Sequence, residues 1–124
     1  MANSIFYNPA GYIDVTIEGD QTYMSFENLL PDATDLLEKL KTEGKPRLGL
    51  VDVSKQGAFS VGSNRSAMET LESLDYERLA IFGAGRILGE VIKAIILAMD
   101  KGSNTKIFND RESAVEWLLS STPN

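Results

Sequence analysis

Between Tyr12 and Glu18 the chain alternates strictly. Ile13, Val15 and Ile17 fall on one side of an extended backbone and Tyr12, Asp14, Thr16 and Glu18 on the other, the pattern of a half-buried strand. Gly19-Asp20 supplies a turn, and Thr22 to Phe26 reads as a second strand closing an antiparallel hairpin. From Leu29 to Thr42 the period becomes helical. Leu29, Ala33, Leu36, Leu37 and Leu40 share a face, Pro31 stands in the first turn, and Asp32 and Asp35 lie early with Lys39 and Lys41 late, as the helix dipole favours. Gly44 and Pro46 end the element. Leu48 to Val53 is apolar except for Asp52 near its carboxyl end, which suits a strand covered on both faces. A Gly- and Ser-rich loop, Ser54 to Ser63, then leads into a helix starting around Ser63 to Ser66 that buries Ala67, Met68, Leu71 and Leu74.

The stretch Leu79 to Leu119 fixes the fold class. Strand Leu79-Ala80-Ile81-Phe82, a helix from about Arg86 to Met99, strand Thr105 to Phe108 and a closing helix form a βαβα unit, whose crossover is right-handed onto a parallel neighbour. Ile87, Leu88, Val91, Ile92, Ile95, Ile96 and Met99 make the first of these helices broadly apolar. Arg86, Glu90, Lys93 and Lys101 mark its outer face, which Leu97 interrupts. Deep burial is the expected environment, with a dimer surface or one wall of an apolar ligand pocket as the alternatives. A membrane span is a poor reading, since the run is short and broken by Glu90 and Lys93. Asn109 as N-cap with Glu112 at N3 approximates a capping box for the last helix, with Ala114, Trp117 and Leu118 on one face and the indole in the core. The expected architecture is α/β, a single mixed, mostly parallel sheet flanked by helices in the order ββαβαβαβα. It occupies one domain, 1–124, with irregular ends at 1–10 and 121–124.

Composition narrows the chemistry. At 124 residues, with 43% hydrophobic and 24% charged residues, the chain supports one ordinary globular core. A net charge of −6 with only 12 scattered basic residues works against nucleic acid as a partner. There is neither Cys nor His, so a zinc site of the usual kind, a disulfide framework, a thiolate nucleophile and a side chain titrating near neutrality are all ruled out. A carboxylate-held Mg²⁺ or a Ser-Lys dyad would remain, but only Asp52 stands convincingly at a strand end. No catalytic residue, metal or cofactor is assigned. The first ten residues lack a signal-peptide progression, and a cytoplasmic protein, not integral to a membrane, is expected.

Open α/β sheets bind ligands beyond the carboxyl ends of their parallel strands. Asp52, Ser54, Phe59 and Arg65 from the first such connection, with Gly83, Gly85 and Arg86 from the next, are therefore expected to line one shared cleft. Ser60 and Ser63 are candidate phosphoacceptors. A phosphate there would add nearly two negative charges near a helix N-terminus, although Ser is also the ordinary capping residue. Gly83-Ala84-Gly85-Arg86-Ile87-Leu88-Gly89 follows a strand and opens a helix as a dinucleotide-binding turn does, with Asp110 following 21 residues after Gly89. It comes late in the domain, however, and flexible glycine in a tight βα turn is the simpler account.

The element order, the strand Leu79-Ala80-Ile81-Phe82 leading into a long apolar helix, and the closing run from Thr105-Lys106-Ile107-Phe108 through Trp117-Leu118 resemble the SpoIIAA-like branch of the STAS domains. The resemblance covers nearly all of Tyr12 to Ser120. It implies a non-enzymatic domain that binds a protein partner, such as a kinase or regulator, or a small ligand, with some relatives similar to Sec14-type lipid carriers. In the regulatory members an Asp-x-Ser strand end precedes an Asp-Ser-Ser-Gly turn whose first Ser is phosphorylated. Asp52-Val53-Ser54 matches the first element, whereas the second is replaced here by Phe59-Ser60-Val61-Gly62-Ser63-Asn64. The functions to be separated are thus a STAS-like regulatory or interaction domain, a binder of a small apolar ligand or lipid, and a dinucleotide binder at Gly83-Gly85-Gly89, with a homodimer compatible with each.

Overall fold

The alternating segment finds its antiparallel partner before it in the chain, not after it. In the computed structural model, which describes residues 3–99 and 104–120, Ser4–Asn8 forms β1 and Tyr12–Gly19 forms β2, with Ser4 opposite Thr16 and Asn8 opposite Tyr12. The amino-terminal end, expected to be irregular to residue 10, is therefore an edge strand. Lys101 and the tail 121–124 lie outside the described residues. Thr22–Phe26, expected as a strand, is instead the short helix α1, Tyr23–Glu27. Its first turn closes on itself. The Thr22 amide donates to Ser25 Oγ at 2.6 Å and the Ser25 amide donates to the Thr22 carbonyl at 3.2 Å. This local closure outweighs the strand preference of Tyr23 and Phe26.

The remaining elements follow the expected alternation. They are α2 (Leu30–Thr42), β3 (Leu48–Gln56), α3 (Val61–Ser73), β4 (Arg78–Phe82), α4 (Arg86–Ala98), β5 (Thr105–Phe108) and α5 (Arg111–Leu118). The sheet order is β1-β2-β3-β4-β5, with β2 to β5 parallel and β1 antiparallel at the edge. This is the mixed, mostly parallel sheet the sequence indicates. Because strand order follows chain order without reversal, same-handed crossovers place α2, α3 and α4 on one face. There Leu37, Leu40 and Ile92 meet Ile13, Val53 and Ile81. The last helix, α5, covers the opposite face, packing Ala114 and Leu118 on Leu50 and Ala80.

Two helix assignments need correction. Of the α4 residues only Ile92 is buried, while Ile87 is 75% and Leu97 86% exposed, so the helix is not enclosed on all sides. The N-cap of α5 is Asp110 in place of Asn109. Its Oδ1 accepts from the Ser113 amide at 2.8 Å, and that bond holds the carboxyl below the usual carboxylate range. Trp117 packs against Phe108, ring centroids 5.6 Å apart, at the margin of the α5 layer. Among the described residues no helix is long and apolar enough to cross a membrane.

Candidate functional site

The two βα connections do meet at the carboxyl rim of the sheet. Gly83 holds φ +91°, and a Cβ built on it would lie 2.8 Å from Ser54 Cβ, so only glycine fits this approach. Ser54 itself belongs to the extended end of β3, and Asp52 Oδ1 accepts from both its amide (2.8 Å) and its hydroxyl (2.6 Å). The Asp52 carboxylate is thus turned onto its own strand end. Phe59 is half-buried, and Arg65 is exposed beside Glu69 at 3.9 Å.

Helix α3 begins at Val61, ahead of the expected Ser63 to Ser66. Ser60 is its exposed N-cap, its Oγ accepting from the Ser63 amide at 3.1 Å, while Ser63 Oγ accepts from the Ser60 amide at 2.8 Å. Ser63 is fully buried and Ser66 nearly so. The Ser66 hydroxyl donates to the Tyr23 carbonyl at 2.7 Å, and these two small side chains let α1 lie close against α3. Of the two candidate phosphoacceptors, only Ser60 is open to solvent.

Gly85 and Arg86 face a different cleft, an open space of about 580 Å³ shared with Gly89, Glu90 and Asp110. The expected residues therefore divide between two places. The glycine-bearing turn has dinucleotide-like spacing, but among the described residues the sheet has no strand-order reversal, which is where open α/β sheets receive such cofactors. Asp110 is engaged in capping α5.

Between the sheet and helices α1 to α4 lies a cavity of about 130 Å³, comparable to engineered apolar cavities that bind benzene. Val15 and Val51 form part of its floor, Leu29 and Leu71 its sides, and Leu88 and Ile95 the α4 wall. Along α4 the lining runs from Leu88 to Ile96, about 12 Å by helical rise. No described lining residue is ionisable. Part of the Ile-rich stripe of α4 thus serves as a pocket wall.

The polar lining residues are Gln56, Asn64 and Thr70. Gln56 reaches this face through a break in strand register. Thr16 pairs with Asp52, but Glu18 pairs with Lys55, so β3 carries one extra residue between these pairs. Such a bulge reverses the alternation of side chains beyond it. Val53 and Gln56, three residues apart, consequently share the cavity face. Sequence reasoning missed Gln56 because nothing in Ser54-Lys55-Gln56 announces a bulge. It missed Asn64 because the residue lay in what read as a loop-to-helix transition.

No family model and no curated protein matches the chain. Comparison with solved structures finds a protein of the DUF3478 family with a SpoIIAA-like fold from Shewanella loihica PV-4, at 21% identity and a TM-score of 0.64, covering 94% of this chain and 92% of that one. It also finds the anti-sigma factor antagonist SpoIIAA in its unphosphorylated form, at 8% identity and a TM-score of 0.59, covering 92% of this chain and 94% of that one. With its five-stranded mixed sheet, crossover helices and covering α5, the chain has the SpoIIAA-like α/β fold.

Proposed function

We propose that this chain is a non-enzymatic SpoIIAA-like domain that binds a small apolar ligand, or the apolar part of a larger one, between its sheet and helices α1 to α4. The observation that carries this reading is the 130 Å³ cavity with a mostly hydrocarbon lining and no described ionisable group. Such a wall recognises apolar surface and has no acid or base with which to act on it. The volume suits a ring or a short stretch of chain, with longer molecules continuing outward. The test is NMR of protein labelled at the methyls of Ile, Leu and Val, titrated with toluene. Shifts centred on Leu71, Ile92 and Ile95 support binding in the cavity, and unmoved methyls at saturation reject it.

A second reading concerns regulation. Ser60 is exposed and heads the helix whose Ala67 and Leu71 line the cavity. A phosphate on it would meet the first-turn amides of α3 and disturb the Ser60–Ser63 cap, so a kinase partner would act on one wall of the pocket. Incubation with cognate kinases followed by phosphosite mapping tests this, and absence of phosphate on Ser60 rejects it.

A further inference from the structure

The cavity is mostly hydrocarbon along its length, with the Thr70 hydroxyl as one polar group on the α3 wall and two side-chain amides, Gln56 and Asn64, at its rim-side end. Gln56 closes β3 and Asn64 sits in the opening turn of α3, both near the carboxyl edge of the sheet. Neither side-chain amide has a hydrogen-bond partner within the protein among the described residues, and both are only half-exposed. Polar groups held at the edge of an apolar space without internal partners are satisfied by water or by a ligand. The bulge in β3 is what turns Gln56 toward the cavity; with unbroken register it would face the α5 layer.

We infer that the ligand is an uncharged amphiphile, an aliphatic chain or ring ending in a hydroxyl or amide, whose polar end is held by Gln56 and Asn64 while its apolar part lies along α4. Each primary amide offers a donor and an acceptor, so the pair complements a group that both gives and takes a hydrogen bond. A carboxylate would meet the same amides without a cation among the described lining residues, and its charge would sit against hydrocarbon. Arg65 does not compensate, being exposed beside Glu69. The inference rests on the cavity-binding reading and adds the chemistry of the ligand's end.

The experiment titrates the methyl-labelled full chain with 1-octanol, octanamide, octanoate and toluene at pH 7.5. It is repeated for Gln56→Met and for Asn64→Leu, each checked for a native spectrum. Octanol and octanamide should bind about tenfold more tightly than octanoate, and the ratio of octanol to toluene affinity should fall about fivefold in each variant, as the loss of one hydrogen bond predicts. Octanoate binding as tightly as octanol overturns the inference, as does an unchanged ratio in both variants; in either case toluene binding would leave the cavity reading standing. If no probe moves the methyls of Ile92 or Ile95, both readings fall together. The use of two variants on different elements keeps the test decisive if one of them does not fold.

Discussion

Filling the cavity should make the free protein more stable and, by the same change, unable to bind. At the roughly 24 cal/mol per Å³ that applies to enclosed cavities, a space of about 130 Å³ that opens at one side sets an upper bound of about 3 kcal/mol on what filling it can return. Ala67 lines it from α3. Ala67→Leu adds three carbons into that space, each worth about 0.8 kcal/mol when buried, so a gain of about 2 kcal/mol is expected after some loss of rotamer freedom. Leu and Ala have similar helix propensities, which keeps the backbone contribution small. In urea at 25 °C the midpoint should rise with the slope unchanged, and Tm should climb by about 8 °C. The opposite perturbation, Ile92→Ala, removes a side chain only 8% exposed from the facing wall and should cost about 3 kcal/mol. In Ala67→Leu the toluene-induced methyl shifts should vanish. If Ala67→Leu instead destabilises by the roughly 1–3 kcal/mol typical of overpacking, the space beneath α3 is already filled in solution and the reasoning fails.

Three further outcomes follow from the fold. Gly83→Ala places a Cβ against Ser54 at a positive φ and should cost about 2 kcal/mol in urea titration; a neutral result would mean that the βα turn is not held against β3. Arg111 pairs with the buried Asp14 carboxylate, and although burial works against its charge, hydrogen bonds to Tyr12 and Asp14 raise its pKa. Arg111→Met would leave Asp14 with the Asn8 amide at 3.2 Å; because the guanidinium side is 44% exposed, the loss should be about 2 kcal/mol, below the roughly 3–5 typical of enclosed pairs, and Asp14→Leu in the same chain should recover most of it. Burial raises the Tyr76 phenol pKa above 10.0, partly offset by its hydrogen bond to Thr105 at 2.8 Å. The folded state therefore holds that proton more tightly than the unfolded chain, so stability is fully present below about pH 10 and is lost as pH rises through the folded value. Tyr76→Phe should show a shallower decline of Tm above about pH 10 than the parent, and identical slopes would contradict the burial assignment.

The sequence was most legible where hydrophobic period and chain punctuation agree. The helix Leu30–Thr42 departs by one residue from the reading based on the helical spacing of Ala33, Leu37 and Leu40, and Gly44 takes the positive φ (+70°) beyond its end. The strands Leu48–Gln56, Arg78–Phe82 and Thr105–Phe108 begin at, or one residue before, the runs that announce them. Legibility failed where a short-range hydrogen bond competes with propensity. Thr22 and Ser25 close a turn around residues that otherwise suit a strand, and Asp110 displaces Asn109 as cap because its carboxylate reaches the Ser113 amide. The hairpin was misplaced because Ile5 and Tyr7 in an edge strand give too short an alternation to stand out. At the site, the rim residues could be found from topology alone. The cavity could not, since Leu71, Leu88 and Ile95 have the same spacing whether they face a neighbour or a void.

The contrast between the two faces of the sheet argues for which one is used in binding. On the α5 side Leu50, Ala80 and Ala114 are 0% exposed and Leu118 1%, so small and branched side chains close the centre of the layer, with Phe108 and Trp117 half-buried at its margin. On the other side three crossover helices span the sheet, and α4 packs on that core through Ile92 with Leu88 and Ile96 at its edge, while the same residues together with Val91 and Ile95 border the cavity. Aliphatic groups beside a void keep the benefit of leaving water but forgo the dispersion contacts that a close-packed neighbour would supply. A helix this rich in isoleucine has the side chains to close that gap from within if it sat lower on the sheet, and the turn from which it departs lies close against the end of β3, Gly83 beside Ser54. A guest in the cavity restores the missing contacts without moving that turn, so binding should tighten the α3 and α4 layer while leaving α5 unchanged. Hydrogen exchange measured with and without toluene would show protection confined to amides of α3 and α4, and equal protection of α5 would refute this division of the molecule.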